Sequence, residues 1–194
     1  MRVALIKYNA GNIQSVSYAL ERLGIDFEVT SDAEKILTAD KVIFPGVGEA
    51  SSTMNYLKAN QLDQLIVSLQ QPVLGICLGM QLMCAHSEEN NTPCLGIFPQ
   101  TVKRFIPTSE QKVPHMGWNT VTQCGNWFGP ELEGKYVYYV HSYYVPVNEL
   151  TVATTDYLEP FSAGMRKNNF YAVQFHPEKS AEAGEQVLKN FLKL

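Results

Sequence analysis

The sequence predicts an α/β fold, a single domain over residues 1–194 in which a mixed, mainly parallel sheet is flanked by helices. Three observations predict it. In the first half, short apolar runs alternate with stretches of helical periodicity, the pattern of strands covered on both faces. In the second half, short β-patterned pieces predominate, so the sheet is expected to continue into an antiparallel section. The 194 residues, 45% of them hydrophobic, can bury one substantial core but not two comfortable ones.

Taken in order, "VALI" reads as a buried strand. "NIQSVSYALERLG" follows, with Ile13, Val16, Leu20 and Leu23 near helical spacing, Asn12 as N-cap and Gly24 as the stop. "DFEVT" is a second strand and "SDAEKI" begins a short helix. "KVIF" is a third strand, ended by "PGVG", and a helix-like stretch then runs to about Leu69. "PVLGI" is a fourth strand, with "LGMQLMCAHS" expected as the helix behind it. Beyond Leu95, "VKRF", "NTVTQ", "KYVYYV", "TVATT", "AGMRK" and "FYAVQF" read as strands, and "AEAGEQVLKNFLKL" closes the chain as an amphipathic helix. There is no internal repeat, low-complexity tract or long linker.

Composition narrows the function classes. A net charge of −4 gives no broad basic surface for nucleic acid. The four cysteines, Cys77, Cys84, Cys94 and Cys124, form no CxxC pair and no dense disulfide framework, as in a reduced compartment. The apolar run before Lys7 is too short for a signal peptide, and no segment reaches the roughly 18 apolar residues of a membrane span. A soluble, cytoplasmic protein is expected. No close His and Cys spacing suits a metal, so no metal or cofactor is expected.

Open parallel sheets bind ligands at the carboxyl ends of their strands. Four segments fall there: Pro45-Gly46-Val47-Gly48, Cys77-Leu78-Gly79, His141-Ser142-Tyr143 and His176-Pro177-Glu178. Cys77 stands between a strand and a helix with small residues around it, which suits an exposed nucleophile; a buried packing cysteine is the plainer alternative. The amides of the helix start would favour its thiolate. Of the four histidines, His86 suits a helix C-terminus, His115 lies in the loop "VPHMGWN", and His141 and His176 both follow strong strands. Only His176 has a carboxylate two residues on, and an extended His-Pro-Glu segment turns both side chains to one side. Glu178 would then orient the imidazole, though "HPE" alone also reads as a solvated turn. "PGVG" matches neither a phosphate loop nor GxGxxG. Its N–H groups, with that of Leu78, suit an oxyanion beside a thiolate.

Together, "PGVG", "GICLGMQ" and "VQFHPE", in that order across nearly the whole chain, resemble the class I (triad) glutamine amidotransferases, whose fold is flavodoxin-like. "PHMGWN", "VHSYY" and "FHPEKS" are similar to the subfamily that serves histidine biosynthesis. The resemblance implies that Cys77 attacks the side-chain amide of L-glutamine, that His176 moves the protons, and that Glu178 holds His176. It places an oxyanion hole at Val47, Gly48 and Leu78. It also implies glutamine contacts at Gly46, Gln81, Glu89 (for the ammonium), His141, Ser142 and Tyr143. A separate (β/α)8 cyclase subunit is implied as partner in a heterodimer, with Asn12, Trp118, Asn119 and Lys179 on the docking rim. Trp118 also reads as a partly buried core aromatic, and Lys179 as a solvated lysine. Two positions depart from the family pattern: Lys7, where Asp is common, and Glu49, where a small or apolar residue is common. Two other readings stay open. One is an amidotransferase subunit feeding a synthase of surface-polysaccharide assembly, and the other is a non-catalytic partner-binding protein.

Overall fold

The computed structural model describes residues 1–8 and 11–194. The first half runs β1 (Val3–Ile6), α1 (Ile13–Arg22), β2 (Phe27–Thr30), α2 (Ala33–Leu37), β3 (Lys41–Phe44), α3 (Ala50–Ala59), α4 (Leu62–Ser68) and β4 (Val73–Ile76). Then come α5 (Leu78–Met83), β5 (Cys84–Ser87), β6 (Thr92–Pro93), β7 (Phe98–Arg104), β8 (His115–Thr120) and β9 (Tyr136–His141). The last elements are β10 (Tyr143–Tyr144), β11 (Thr151–Asp156), β12 (Pro160–Lys167), β13 (Phe170–Val173) and α6 (Ala181–Leu192).

The fold is mixed α/β around a seven-stranded sheet ordered β11-β12-β13-β4-β3-β1-β2. From β13 to β2 every neighbour is parallel, while β11 and β12 pair antiparallel at the far edge. The parallel part, β2-β1-β3-β4-β13, has the strand order of a flavodoxin-like sheet. Alternation explains how four-residue strands hold such a sheet. In β1, Val3 and Leu5 join α1 and α6 through Val16, Leu20, Val187 and Phe191. Ala4 and Ile6 face the other way, onto Ile36, Met54, Leu57 and Ile66 of α2, α3 and α4. Every residue of β1, β3, β4 and β13 is buried, so apart from Lys41 at the start of β3 each strand reads as an apolar run in the sequence. Each buried aliphatic side chain contributes about 1.5–3 kcal/mol.

The second half departs from expectation in two respects. His115, read as loop, opens strand β8 (His115–Thr120), which therefore begins ahead of the predicted "NTVTQ". Only β11, β12 and β13 join the main sheet. The others form a four-stranded sheet, β10-β7-β5-β6, and a β8–β9 ribbon. The helix behind Cys77 is also shorter than its pattern predicts. It stops at Met83 because Cys84 turns extended (φ −69, ψ 173) and enters β5, which pairs with β7. His86 thus lies in a strand and bonds Asn91 Oδ1 (2.9 Å) rather than capping a helix. The stretch before Leu69 divides into α3 and α4 at Gln61, whose φ of 57 breaks the helix.

Candidate active site

The carboxyl ends of β3 and β4 meet the turn between β9 and β10 around one cleft of about 310 Å³. Its wall is Val47, Gly48, Cys77, Leu78, Gln81, Glu89, Pro114, Val140, His141, Ser142 and Tyr143.

Cys77 sits at the junction of β4 and α5 with φ 54 and ψ −109, a conformation that non-glycine residues avoid. Such strain costs on the order of 1–3 kcal/mol and persists only where the surroundings impose it. Two features impose it here. The Cys77 N–H is held by the Val173 carbonyl (2.8 Å), and its own carbonyl receives the Gln81 N–H (3.2 Å) as α5 begins. Gly79 then lets α5 start hard against β3: a Cβ there would lie 2.1 Å from the Phe44 carbonyl oxygen. The arrangement has the form of a nucleophile elbow.

His176 follows β13 and is fully buried. Its N–H donates to the Tyr138 carbonyl (2.9 Å), and Ser180 Oγ ties the His176 carbonyl (2.6 Å) to the Tyr138 N–H (2.9 Å). The ring's Nδ1 meets Glu178 Oε1 at 2.8 Å. The two side chains meet by a different route from the extended His-Pro-Glu segment expected: only His176 is extended (φ −98, ψ 96), and Pro177–Lys179 forms a 3-10 turn that brings Glu178 back to the ring. Nε2 carries no fully aligned hydrogen bond, yet the Cys77 sulfur is close enough to act on it. Burial opposes a charged ring. The nearby Cys77 sulfur, then Glu178, outweigh burial and push His176 up to about 10. A loose sulfur–imidazole approach is common before substrate tightens it.

Asn12 stands at the N-cap position of α1 as expected, its carbonyl taking the Val16 N–H (3.1 Å), but it is buried rather than on the docking rim. Its side chain makes no cap bond, the residue is only 4% exposed, and Nδ2 donates to Glu178 Oε1 at 3.2 Å. The carboxylate is thus gripped from the α1 side while it grips the imidazole.

The "PGVG" loop is held from below. The Tyr8 hydroxyl donates to the Pro45 carbonyl, and burial, then the nearby Cys77, raise the tyrosine's pKa. Gly46 lies under the cleft rather than on it, where a Cβ would come within 2.6 Å of Gly79 N. Its carbonyl takes the Leu78 N–H (3.2 Å). Gly48 has φ 116, open only to glycine. Glu49, the departure from the family pattern, caps α3: its carboxylate receives the Ser51 and Ser52 N–H groups (2.9 and 2.8 Å) and Asn90 Nδ2 (2.6 Å). These bonds, led by the Ser51 hydroxyl, pull its pKa down to about 2. Glu89 accepts the Ala50 N–H (2.8 Å), and burial raises its pKa.

Across the cleft, Gln81 Nε2 donates to the Tyr143 carbonyl and to Gln174 Oε1, both at 2.9 Å. Only its oxygen is left for a ligand, which suits an ammonium and not a carboxylate. The Tyr143 carbonyl also takes His141 Nδ1–H (2.8 Å). His141 Nε2 is therefore an acceptor, and His115 Nδ1–H donates to it (3.1 Å). Burial pulls His141 down to about 3 and His115 down to about 4, so both are neutral.

Trp118, 53% exposed, stands outward on β8 beside Tyr138 of β9, and Lys179 lies 5.9 Å from the same tyrosine ring. Asn119 is partly covered and donates to the Asp156 carbonyl (2.8 Å). Sequence reasoning passed over Tyr8, Gln174 and Ser180. Gln174 left a readable signal, a lone amide inside the apolar run "FYAVQF". Tyr8 and Ser180 left none.

The glutamine amidotransferase class-I family model matches residues 4–194, and the chain belongs to that family. Within it, the chain is 63% identical, over all of both chains, to the imidazole glycerol phosphate synthase subunit HisH of Bacteroides fragilis. The protein of the same name from Idiomarina loihiensis is 45% identical, covering all of this chain and 98% of that one. Among solved structures, a glutamine amidotransferase superposes with TM-score 0.75 at 16% identity, covering 98% and 97% of the two chains. PurLQS from Thermotoga maritima superposes with TM-score 0.71 at 16% identity, covering 99% and 97%. These two likenesses establish the fold.

Proposed function

We propose that this chain is the glutaminase subunit of imidazole glycerol phosphate synthase, hydrolysing glutamine to glutamate and ammonia for a (β/α)8 cyclase subunit. The observation that carries this reading is Cys77 in the cleft wall with the buried His176–Glu178 pair close behind it, on a chain alike over its full length to proteins of that name. Cys77 Sγ attacks the amide carbon of glutamine, and the tetrahedral oxyanion is received by amides of Val47, Gly48 and Leu78. His176 Nε2–H protonates the leaving ammonia and the thioester forms. The imidazole then takes a proton from water, which attacks the thioester and releases glutamate. Glu178, itself held by Asn12, keeps the ring in one tautomer. The Gln81 oxygen and Glu89 receive the α-ammonium, and the segment Ser142–Tyr143 receives the carboxylate.

The patch of Trp118, Tyr138 and Lys179 beside Asn119 is the docking face for the cyclase, and the protein works in the cytoplasm as one domain. No helix among the described residues is long and apolar enough to cross a membrane. The oxyanion site is gated by the partner. The Leu78 N–H is spent on the Gly46 carbonyl, so "PGVG" has to swing before that amide faces an oxyanion. Glutaminase turnover is expected to rise when cyclase and its ligand are added; equal rates would rule the gating out. The function itself is tested by mixing the chain with a histidine-pathway cyclase and measuring glutamine-dependent formation of imidazole glycerol phosphate. Failure there, with rescue only by a cyclase of surface-polysaccharide assembly, would move the chain to that pathway.

A further inference from the structure

Gln174 lies directly after β13, is completely buried, and points its amide at the nucleophile: Nε2 to Cys77 Sγ is 3.7 Å. Which end of that amide faces the sulfur follows from a chain of fixed roles. The Tyr143 carbonyl can only accept. The Gln81 atom 2.9 Å from it is therefore nitrogen, and the same nitrogen stands 2.9 Å from Gln174. Because that nitrogen has only hydrogens to offer, the facing atom of Gln174 is oxygen. The remaining end of Gln174, the one against the sulfur, is an N–H donor. Reversing it would set oxygen against the sulfur and nitrogen against nitrogen, two mismatches in a buried site.

We propose that Gln174 donates a hydrogen bond to the Cys77 sulfur, its orientation dictated by the Tyr143 carbonyl through Gln81, and that this bond stabilises the attacking thiolate. The proposal deepens the glutaminase reading and rests on it. A donor at this place favours the anion over the thiol, and it approaches the sulfur from the Gln81 side without competing for the oxyanion amides. It also gives Gln81 a second task, holding a residue it does not share an element with.

The other titratable groups around the sulfur are His176 behind β13, Tyr8 from the loop after β1, and His141 and Glu89 across the cleft. None of them is altered by the test. Alkylation of Cys77 by iodoacetamide is followed by peptide mass spectrometry across pH 5–10 (a range of about five units, wide enough to span an ordinary thiol) for the wild type, Gln174→Met and Gln81→Met. Removing the donor is expected to shift the reactivity midpoint upward by about one unit, roughly tenfold less thiolate at a given pH. Gln81→Met, which leaves Gln174 present but free to turn over, is expected to shift it in the same direction by less. Unmoved midpoints in the folded variants would overturn the proposal and reduce Gln174 to packing. If Gln174→Met does not fold, the Gln81→Met midpoint decides alone. Alkylation needs no glutamine turnover, so a wild type that shows the shift but stays inactive even with cyclase and its ligand added would sink the glutaminase reading and not this one.

Discussion

Cys77 occupies a left-handed backbone conformation that packing forces on it, and the same packing presents its sulfur to the cleft. Cys77→Ser is expected to keep the fold and lose glutaminase activity by on the order of 10³-fold or more, measured as glutamate release. Behind it, the order of grip is Asn12 on Glu178 and Glu178 on His176. Asn12→Ala should therefore lower kcat by about tenfold and leave KM for glutamine nearly unchanged, because Asn12 touches no substrate. The residues read correctly as neighbours were those whose chemistry shows locally, such as a cysteine between glycines and a histidine two places from a glutamate. Asn12 was misplaced because its partner is 166 positions away, and nothing in "AGNIQ" says which way its amide turns. Glu49 is explained by its own neighbourhood, as the cap of α3.

At the scale of elements, α5 is the part most exposed to error. Gly79→Ala would drive a methyl into the Phe44 carbonyl, and the expected loss is on the order of 2–4 kcal/mol in chemical denaturation, with activity falling as the elbow shifts. Strands β1, β3, β4 and β13 were legible as apolar runs, Lys41 of β3 aside, because both their faces are covered. The end of α5 was not, since β5 exists only through its pairing with β7, a contact the local pattern does not record. The ribbon of β8 and β9 carries an acid-sensitive pair. His115 and His141 titrate near 6.5 in the unfolded chain but only near 4 and 3 in the fold, so between those values the unfolded chain holds the additional protons. Stability should therefore fall as pH drops from about 6.5 towards 4, by about 1.4 kcal/mol per unit for the fully buried His141, and be independent of this pair above about 7. Urea denaturation across that range checks it, and His115→Gln should flatten part of the slope.

For the whole molecule, the sheet brings segments from both halves of the chain to one end, with the cleft there and the Trp118–Tyr138–Lys179 patch on the neighbouring ribbon. Trp118→Ala is expected to weaken cyclase binding by about 2 kcal/mol or more in calorimetry, without changing the thermal stability of the free chain. The exposed aromatic patch was only partly legible: the aromatic residues are visible in "HMGWN" and "KYVYYV", but which of them face outward depends on the ribbon's register. The central claim, a glutamine-splitting thiol at Cys77, is tested most directly by treating the chain with a diazoketone analogue of glutamine and mapping the adduct by mass spectrometry. Labelling confined to Cys77, and suppressed by excess glutamine, is the predicted result. Labelling spread over Cys84, Cys94 and Cys124, or labelling at Cys77 that glutamine does not protect, would contradict the account.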